Sequence, residues 1–477
     1  MTEDKPAVAG LRRDLGLWSA AAIVVGTVIG SGIFLVPKTM VQRVGTPEMV
    51  FAVWIFGGLL TLAGALTYAE LSAAMPEAGG EYVYLREAYG PMFGFIYGWT
   101  QLWVAKSGSI ATLATAFFYY LANFFPPLEL TWIVVPLPVG PGWQPLEIRY
   151  GQVLAMAVIL SLGLLNYFGV KLGGEVQVFV TVLKVALIGG IIVLGLATGL
   201  GEAGNFRTSY PTSGGAAGFF AALVAALWAY DGWNNVVMVA SEVRNPQRNL
   251  PLALSLGTLS VIVIYLLTNL AYFYVLPAET VAATDRVAAA MMGRIFGENG
   301  AAVVSIAAMI SIFAALNGSI LSGSRVPYAM AHDRLFFRSV GAVHPTYGTP
   351  SVAIVLLTMV SAVMVLSGRY EDLFRYVIFS SWILYGMAAA SVIVLRRKRP
   401  DLPRPYRTFG YPVVPALFVL VAFCLLIATL RDSPRESLLG LLLIFAGLPF
   451  YFHWRSRRIE PPSTVNFRTI DDPEGKH

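Results

Sequence analysis

One interrupted apolar segment constrains the fold of this chain more than any other feature. Residues 26–34 read GTVIGSGIF, and Gly30, Ser31 and Gly32 stand in the middle of a run that would otherwise form a membrane-spanning helix. An unpaired backbone N–H is costly in hydrocarbon, so such a break persists only where it lines a cavity or meets a ligand. The half-helix after the break would point its amides and positive dipole end at that cavity, which suits a carboxylate. The alternative is a packing face of small residues.

The composition places the chain in a membrane. Of its 477 residues, 57% are hydrophobic and 13% are charged, which is far from the usage of soluble domains. Apolar runs long enough to cross a bilayer predict about twelve helices. These helices cover residues 17–38, 48–74, 91–125, 150–170, 175–199, 215–240, 250–276, 300–330, 351–366, 373–395, 413–430 and 437–454. The predicted fold is therefore an all-α polytopic membrane protein.

Basic residues predict the orientation of these helices. With the N-terminus in the cytoplasm, about 21 Lys and Arg residues fall on the inner side and about 9 on the outer side. We therefore expect a multi-pass protein of the cytoplasmic membrane with both termini inside. This asymmetry explains the net charge of +6, which calls for no nucleic-acid partner. The single cysteine, Cys424, and four histidines in loops or at helix ends offer no metal site or catalytic centre, and no cofactor is predicted.

A second break lies about 200 residues after the first. Residues 226–235 read ALWAYDGWNN, so Asp231, Gly232, Asn234 and Asn235 interrupt another apolar span. Two broken helices at corresponding positions in two halves are typical of a transporter whose binding site lies at the bilayer midplane. The predicted organisation is a cytoplasmic N-terminal segment (1–16), a first five-helix repeat (17–199), an inverted second five-helix repeat (215–395), two further helices (396–458) and a cytoplasmic tail (459–477).

Four motifs give the chain its resemblance to a known family. They are GSGIF at 30–34, YAEL with PEAGGEYVYL within 68–85, EVRNPQRNLP at 242–251 and LNGSILSGSRVPYAMA at 316–331. Together they resemble the amino acid, polyamine and organocation superfamily, and within it the L-type amino acid transporters and their bacterial relatives. The resemblance, which runs from Asp14 to about Arg458, implies a LeuT-like fold: a 5+5 inverted repeat with helices 1 and 6 broken, plus two extra helices. It also implies sodium-independent transport of L-amino acids by alternating access.

The resemblance implies how a substrate is held between the two breaks. The carboxylate of a free amino acid would bind the amides at Ser31 and Gly32, next to Gly30, with the Ser31 hydroxyl as a further donor. Its ammonium group would bind carbonyls freed by the breaks, which are those of Val28, Trp228, Ala229 and Asp231. Trp228 would also close over the substrate as a gate; the alternative is that it is a packing aromatic.

Three charged residues inside predicted helices are further candidates. A charge at the centre of a membrane helix costs about 3 kcal/mol on insertion scales, so Lys184 is expected to be functional rather than a snorkelling side chain. The resemblance implies that Lys184 contacts the first helix near its break and couples binding to opening or to proton movement. Lys106 and Asp231 depart from the family pattern. They would form an ion pair, or Asp231 would face the pocket to attract a cationic side chain, reinforce ammonium binding or carry a proton.

Charges at predicted cytoplasmic helix ends suggest an inner gate, with solvated loop charges as the alternative. They are Glu70, Glu77, Glu81, Arg86, Glu242, Arg244 and Arg325. Eukaryotic L-type relatives pair with a glycoprotein through a cysteine in the loop after the third helix, but residues 126–149 contain none. We therefore expect no disulfide-linked partner subunit.

Amino acid exchange is the favoured function, and proton-coupled symport is the alternative. From a different class, a non-transporting amino acid sensor remains open, although such a protein would be supported by a long signalling domain. A membrane enzyme is disfavoured because the helices contain no clustered nucleophile, metal or acid–base set.

Overall fold

Helices make up most of the chain in the computed structural model, which describes residues 11–136, 146–366, 370–432 and 434–456. The α-helices are α1 (Leu17–Val28), α2 (Gly32–Val44), α3 (Pro47–Ala74), α4 (Glu81–Tyr89), α5 (Pro91–Thr100), α6 (Lys106–Leu121), α7 (Tyr150–Tyr167), α8 (Val170–Ala197), α9 (Gly215–Ala229), α10 (Asn235–Met238), α11 (Pro246–Val275), α12 (Ala278–Ala283), α13 (Val287–Phe296), α14 (Glu298–Gly323), α15 (Arg325–His332), α16 (Ser351–Met364), α17 (Tyr370–Lys398), α18 (Val413–Asp432), α19 (Pro434–Phe445) and α20 (Gly447–Ser456). The predicted tail, 459–477, and most of the N-terminal segment lie outside the described residues.

The remaining regular structure is short. A two-stranded antiparallel hairpin, β1 (Thr131–Val135) and β2 (Leu146–Arg149), precedes α7 and pairs Thr131 with Arg149. Single 3₁₀ turns lie at Pro126–Glu129, Ala203–Arg207, Ala240–Glu242 and Arg338–Gly341, and a π-helical turn lies at Gln101–Ala105.

The length and apolarity of the helices confirm a multi-pass, all-α membrane protein. Within the described residues, eight helices are long and apolar enough to cross a bilayer, or nine if α1 and α2 form one span bent by 41°. The other three expected crossings correspond to α9, to α16 and to residues 91–121, where α5, the π turn and α6 follow one another without a gap. The total of twelve and the boundaries of the two repeats stay predictions.

Glycine at one position allows the two broken helices to approach closely. A Cβ atom on Gly32 would lie 2.5 Å from Cα of Ala229, at the end of α9, so any larger residue would force the backbones apart. Gly232 has φ of +101°, in the region that side chains disfavour. Its carbonyl accepts a hydrogen bond of 2.8 Å from the Thr27 hydroxyl on α1. The breaks are therefore held against each other by backbone contact.

The second broken helix is fixed from behind by aromatic side chains. Trp54 on α3 packs edge-on against Tyr230 and Tyr265, with ring centroids 5.5 and 5.1 Å apart, an arrangement that aromatic pairs favour. All three rings are buried. By contrast, α18 presents large apolar side chains such as Leu417 and Phe423 outward, as expected of a helix that faces lipid.

Candidate functional site

The two breaks line a common cavity. Of the residues that the sequence assigned to the substrate, Val28, Gly30, Ser31, Gly32, Trp228 and Asp231 all line it. The backbone of the seventh, Ala229, packs against Gly32. The cavity is also lined by residues that sequence reasoning did not select: Thr27, Ser109, Leu113, Gly232, Asn235 and Ser319. The predicted residues are thus brought together, and their roles in binding stay predictions.

The first break leaves backbone donors available to this cavity. Helical hydrogen bonding resumes with the amides of Phe34 and Leu35, which both donate to the carbonyl of Ser31. Within the described part of the chain, no backbone acceptor takes the amides of Gly30, Gly32 or Ile33. These donors lie at the N-terminus of α2, where the helix dipole favours a negative charge. This end of the cavity therefore has the chemistry of an anion site.

The helix ends at the two breaks offer acceptors, and a tyrosine already contacts one of them at each break. The Tyr265 hydroxyl on α11 lies 3.0 Å from the carbonyl oxygen of Val28 and 2.7 Å from that of Ala229. The carbonyl of Trp228 accepts from the amide of Asp231 at 3.1 Å. Each carbonyl has a second lone pair, so an ammonium group can still bind there. Sequence reasoning did not find Tyr265, which is one of 22 tyrosines and lies in an apolar helix.

Lys184 lies against the first break as the sequence predicted. Its Nζ donates to the carbonyls of Gly26 and Ile29 at 2.6 and 2.5 Å, and the residue is fully buried. Ser311 on α14 donates to the same Ile29 carbonyl at 2.9 Å. The ammonium group therefore serves the C-terminal, negative end of α1 and does not snorkel to the interface. Its part in coupling stays a prediction.

The proposed ion pair between Lys106 and Asp231 is not formed. Lys106 donates to Oδ1 of Asn235 at 2.6 Å, whereas Asp231 accepts from the Tyr385 hydroxyl at 2.9 Å. The cause is the geometry of the second break, which turns Asp231 toward α17 and the first residue of α10 toward α6. Within the described residues, no Lys or Arg forms an ion pair with Asp231. This leaves its carboxylate on the cavity wall, as the alternative reading required.

The predicted gate charges separate into distinct contacts. Glu242 and Arg325 form a two-fold hydrogen-bonded pair at 2.6 and 2.9 Å, and both side chains are at most 1% exposed. Glu77 and Arg86, both in the expected set, also pair with each other, and the remaining contacts are with partners that the sequence did not indicate. Glu70 pairs with Arg396 and Arg404, Arg86 pairs with Asp333 as well as Glu77, Arg244 approaches Asp14, and Glu81 accepts from Asn234 and Tyr97. The expected gate charges thus contact several separate partners, and their role in gating stays a prediction.

Another ion pair, which the sequence did not suggest, lies on α2. Nζ of Lys38 is 2.5 Å from Oδ1 of Asp285, in the segment between α12 and α13, and the two side chains are 27% and 84% exposed. Gln42 adds a hydrogen bond of 2.8 Å to the carbonyl of Ala282 in α12. These contacts connect α2, the second half of the broken helix, to α12 and to the segment between α12 and α13.

Comparisons with known proteins agree with this arrangement. The model of the amino acid permease family matches residues 15–445. The serine/threonine exchanger SteT of Bacillus subtilis (strain 168) is 34% identical over 460 residues, which are 96% of this chain and 99% of the exchanger. The human b(0,+)-type amino acid transporter 1 is 31% identical over 487 residues, covering 98% and 96% of the two chains. The human cystine/glutamate transporter is 30% identical over 445 residues, covering 93% and 85%.

The family match spans both helix breaks and nearly all of the membrane helices. The relatives align with this chain along most of their own length, so the similarity is not confined to one motif. The chain therefore belongs to the amino acid permease family.

Proposed function

We propose that this protein exchanges L-amino acids across the cytoplasmic membrane, without sodium, by alternating access to the cavity between the two helix breaks. One observation carries the proposal: the unpaired amides of Gly30 and Gly32 border the same cavity as the second break. Two broken helices offer positive and negative ends to one zwitterion. Lys184, whose Nζ donates to two carbonyls beside the first break, supports transport that needs no bound sodium ion.

Each end of the substrate has assigned partners in this proposal. The carboxylate binds the amides of Ser31 and Gly32 beside Gly30. The ammonium group binds the carbonyls of Val28, Trp228, Ala229 and Asp231, sharing those of Val28 and Ala229 with Tyr265. Trp228 closes over the bound molecule. Because the backbone reads both charged groups, the side-chain end of the cavity decides which amino acid is taken.

The lining of the cavity supports a short polar side chain. Ser109, Ser319 and Asn235 contribute hydroxyl and amide groups, and Leu113 is the apolar member beside them. The related exchanger of Bacillus subtilis is named for serine and threonine. A cationic side chain is the second candidate, because the Asp231 carboxylate lines the cavity without an ion-pair partner among the described residues.

Uptake into proteoliposomes tests the proposal. The purified full-length chain is reconstituted with unlabelled amino acid inside, and uptake of labelled L-threonine, L-leucine and L-arginine is measured with and without sodium. We expect L-threonine uptake that requires internal amino acid and ignores sodium. Uptake into empty vesicles driven by a proton gradient would instead support proton symport. No uptake of any amino acid by folded protein would overturn the transporter proposal and favour a sensor.

Asp231→Asn separates the two candidate substrate classes. The substitution removes the only charge that Asp231 brings to the cavity wall while keeping its shape, so L-arginine exchange falls and L-threonine exchange persists if the carboxylate reads a cationic side chain. Glu175→Gln, at an exposed carboxylate of α8, is the matched control.

We further propose that the protein works in transport rather than catalysis, with both termini cytoplasmic and without a disulfide-linked subunit.

A further inference from the structure

The buried carboxylate of Glu81 contacts a residue that is the chain neighbour of a cavity-lining residue. Glu81 begins α4, between the membrane-crossing helices α3 and α5, and its side chain is fully buried. It accepts hydrogen bonds from the amide of Asn234 and, at 2.9 Å, from the hydroxyl of Tyr97. Asn234 directly precedes Asn235, which lines the cavity and contacts Lys106. Glu81 is thus joined to the second helix break by a single side-chain contact.

Both partners of this carboxylate are neutral. Among the ion pairs of the described residues, none includes Glu81, although a buried carboxylate is expensive unless it is paired. The titratable groups that face it are Tyr68 on α3, Tyr84 on its own helix, Tyr97 on α5, Tyr385 on α17, which holds Asp231, and the more distant cation Lys106 on α6. Arg86 on α4 is occupied by Glu77, Glu87 and Asp333.

The loop before Glu81 is built onto the short helix after the break. The amide of Gly79 donates to the carbonyl of Met238 at 2.9 Å. A Cβ atom on Gly80, whose φ is +53°, would lie 2.7 Å from the side chain of Val237. Movement of α10 must therefore move this loop or break its contacts, including the one between Asn234 and Glu81.

We propose that Glu81 is a proton-binding site that controls release of the second broken helix, so that acidification speeds exchange. The ionised carboxylate holds Asn234 through a charge-assisted hydrogen bond, which is stronger than a neutral one. A proton on Glu81 removes that charge and loosens the contact. Oδ1 of Asn234 is buried and without a partner in the described structure, so a rotated amide offers an acceptor for the new O–H.

Burial supports this proposal from the electrostatic side. Loss of hydration raises the pKa of Glu81 from its ordinary value to about 7, against the opposing effect of its hydrogen bonds. The folded protein then binds more protons at Glu81 than the unfolded chain does between the two pKa values. The contribution to stability is complete below the unfolded pKa and is lost as the pH rises through about 7.

Infrared difference spectroscopy tests the site without any need for transport. The purified full-length protein is titrated from about pH 5 to about pH 9, which brackets ordinary and raised carboxyl pKa values. We expect the C=O band of a protonated carboxyl group to disappear with a midpoint near 7. The band is lost in Glu81→Gln and kept in Glu87→Gln, at a more exposed carboxylate of the same helix. A band that survives in Glu81→Gln overturns the proposal.

A second variant guards against misfolding of the first. Tyr97→Phe removes a donor that favours the ionised carboxylate, so the midpoint moves to higher pH while Glu81 itself is kept. A merely structural role for Tyr97 predicts an unchanged midpoint, and that result would count against Glu81 as the titrating group.

The transport test rests on the proposed function. Exchange of labelled for unlabelled L-threonine is followed at equal pH on both sides of the vesicle. Replacing a charge-assisted by a neutral hydrogen bond predicts a rate about fivefold higher at acid than at alkaline pH. Glu81→Gln is fast and flat across this range, whereas Glu87→Gln follows the unaltered protein. A wild-type profile in Glu81→Gln overturns the proposal, while absence of all exchange beside a normal infrared titration contradicts only the proposed function.

Discussion

Two of the ion pairs differ sharply in exposure; the buried one is called the inner pair and the exposed one the outer pair. The inner pair, Glu242 with Arg325, is almost fully buried and hydrogen-bonded twice. The outer pair, Lys38 with Asp285, stands largely in solvent at 27% and 84% exposure. Burial makes the loss of one partner costly, whereas exposed pairs contribute little and are screened by salt. Loss of one partner of the inner pair is therefore expected to cost far more than loss of one partner of the outer pair.

Arg325→Ala is the largest expected effect. It leaves the Glu242 carboxylate buried and unpaired, which costs about 3–5 kcal/mol of stability. It also removes donors to the carbonyl of Leu321 and the hydroxyl of Ser324. Thermal unfolding and exchange in proteoliposomes measure the loss, with Arg248→Ala, an exposed arginine of the motif that contains Glu242, as the control. Equal melting temperatures for the two variants would contradict the special position of the inner pair.

Gly32→Ala tests the close backbone contact between the two helix breaks. The added methyl group would stand 2.5 Å from the Ala229 backbone, and overpacking of this kind costs about 1–3 kcal/mol. We expect exchange to be lost while the protein still folds. Gly189→Ala on α8 is the matched control, because a Cβ there meets nothing within 4 Å. Full exchange by Gly32→Ala would show that the breaks need not touch.

A double substitution sharpens the meaning of the inner pair. Replacing both partners with apolar residues, as in Glu242→Leu with Arg325→Met, removes the desolvation cost along with the attraction. Such replacements of buried pairs are often neutral or stabilising. We expect the melting temperature to recover while exchange stays impaired, because a pair that only braces the fold would recover both. Recovery of exchange would assign the pair to stability alone.

Lys38→Ala is the smallest expected effect. An exposed pair is worth about 1 kcal/mol or less, so exchange changes modestly, and the difference shrinks further as salt concentration rises. Lys171→Ala, at another exposed pair, controls for loss of a surface charge. A defect in Lys38→Ala as severe as that of Arg325→Ala would contradict the difference in importance between the inner and the outer pair.

The sequence predicted features that depend on local composition. The first break follows from Gly30, Ser31 and Gly32 in an apolar run, whereas the contact of Lys184 with α1 was implied by the family resemblance. Both breaks, and the residues that border them, were therefore predictable as a cavity.

Contacts between distant parts of the chain were not predictable in the same way. Tyr265 reaches two freed carbonyls only because α11 packs behind the breaks. The predicted partner of Asp231 was wrong because the geometry of the second break selects which of two neighbouring side chains faces α6. The outer pair joins residues 247 positions apart, and nothing in the local sequence of Lys38 indicates its partner.

The π turn at Gln101–Ala105 sets the rotational phase of the helix that follows it. One residue more than a regular turn contains rotates everything downstream by about 100° relative to an uninterrupted helix. Ser109 and Leu113 face the cavity and Lys106 faces Asn235 in the register that this turn creates. Trp99, before the turn, and Trp103, within it, contact each other with ring centroids 5.6 Å apart. Deleting one residue from the turn would rotate α6 about its own axis and turn its polar side chains away from their present neighbours. The contacts of Lys106 and Ser109 therefore depend on the length of this turn.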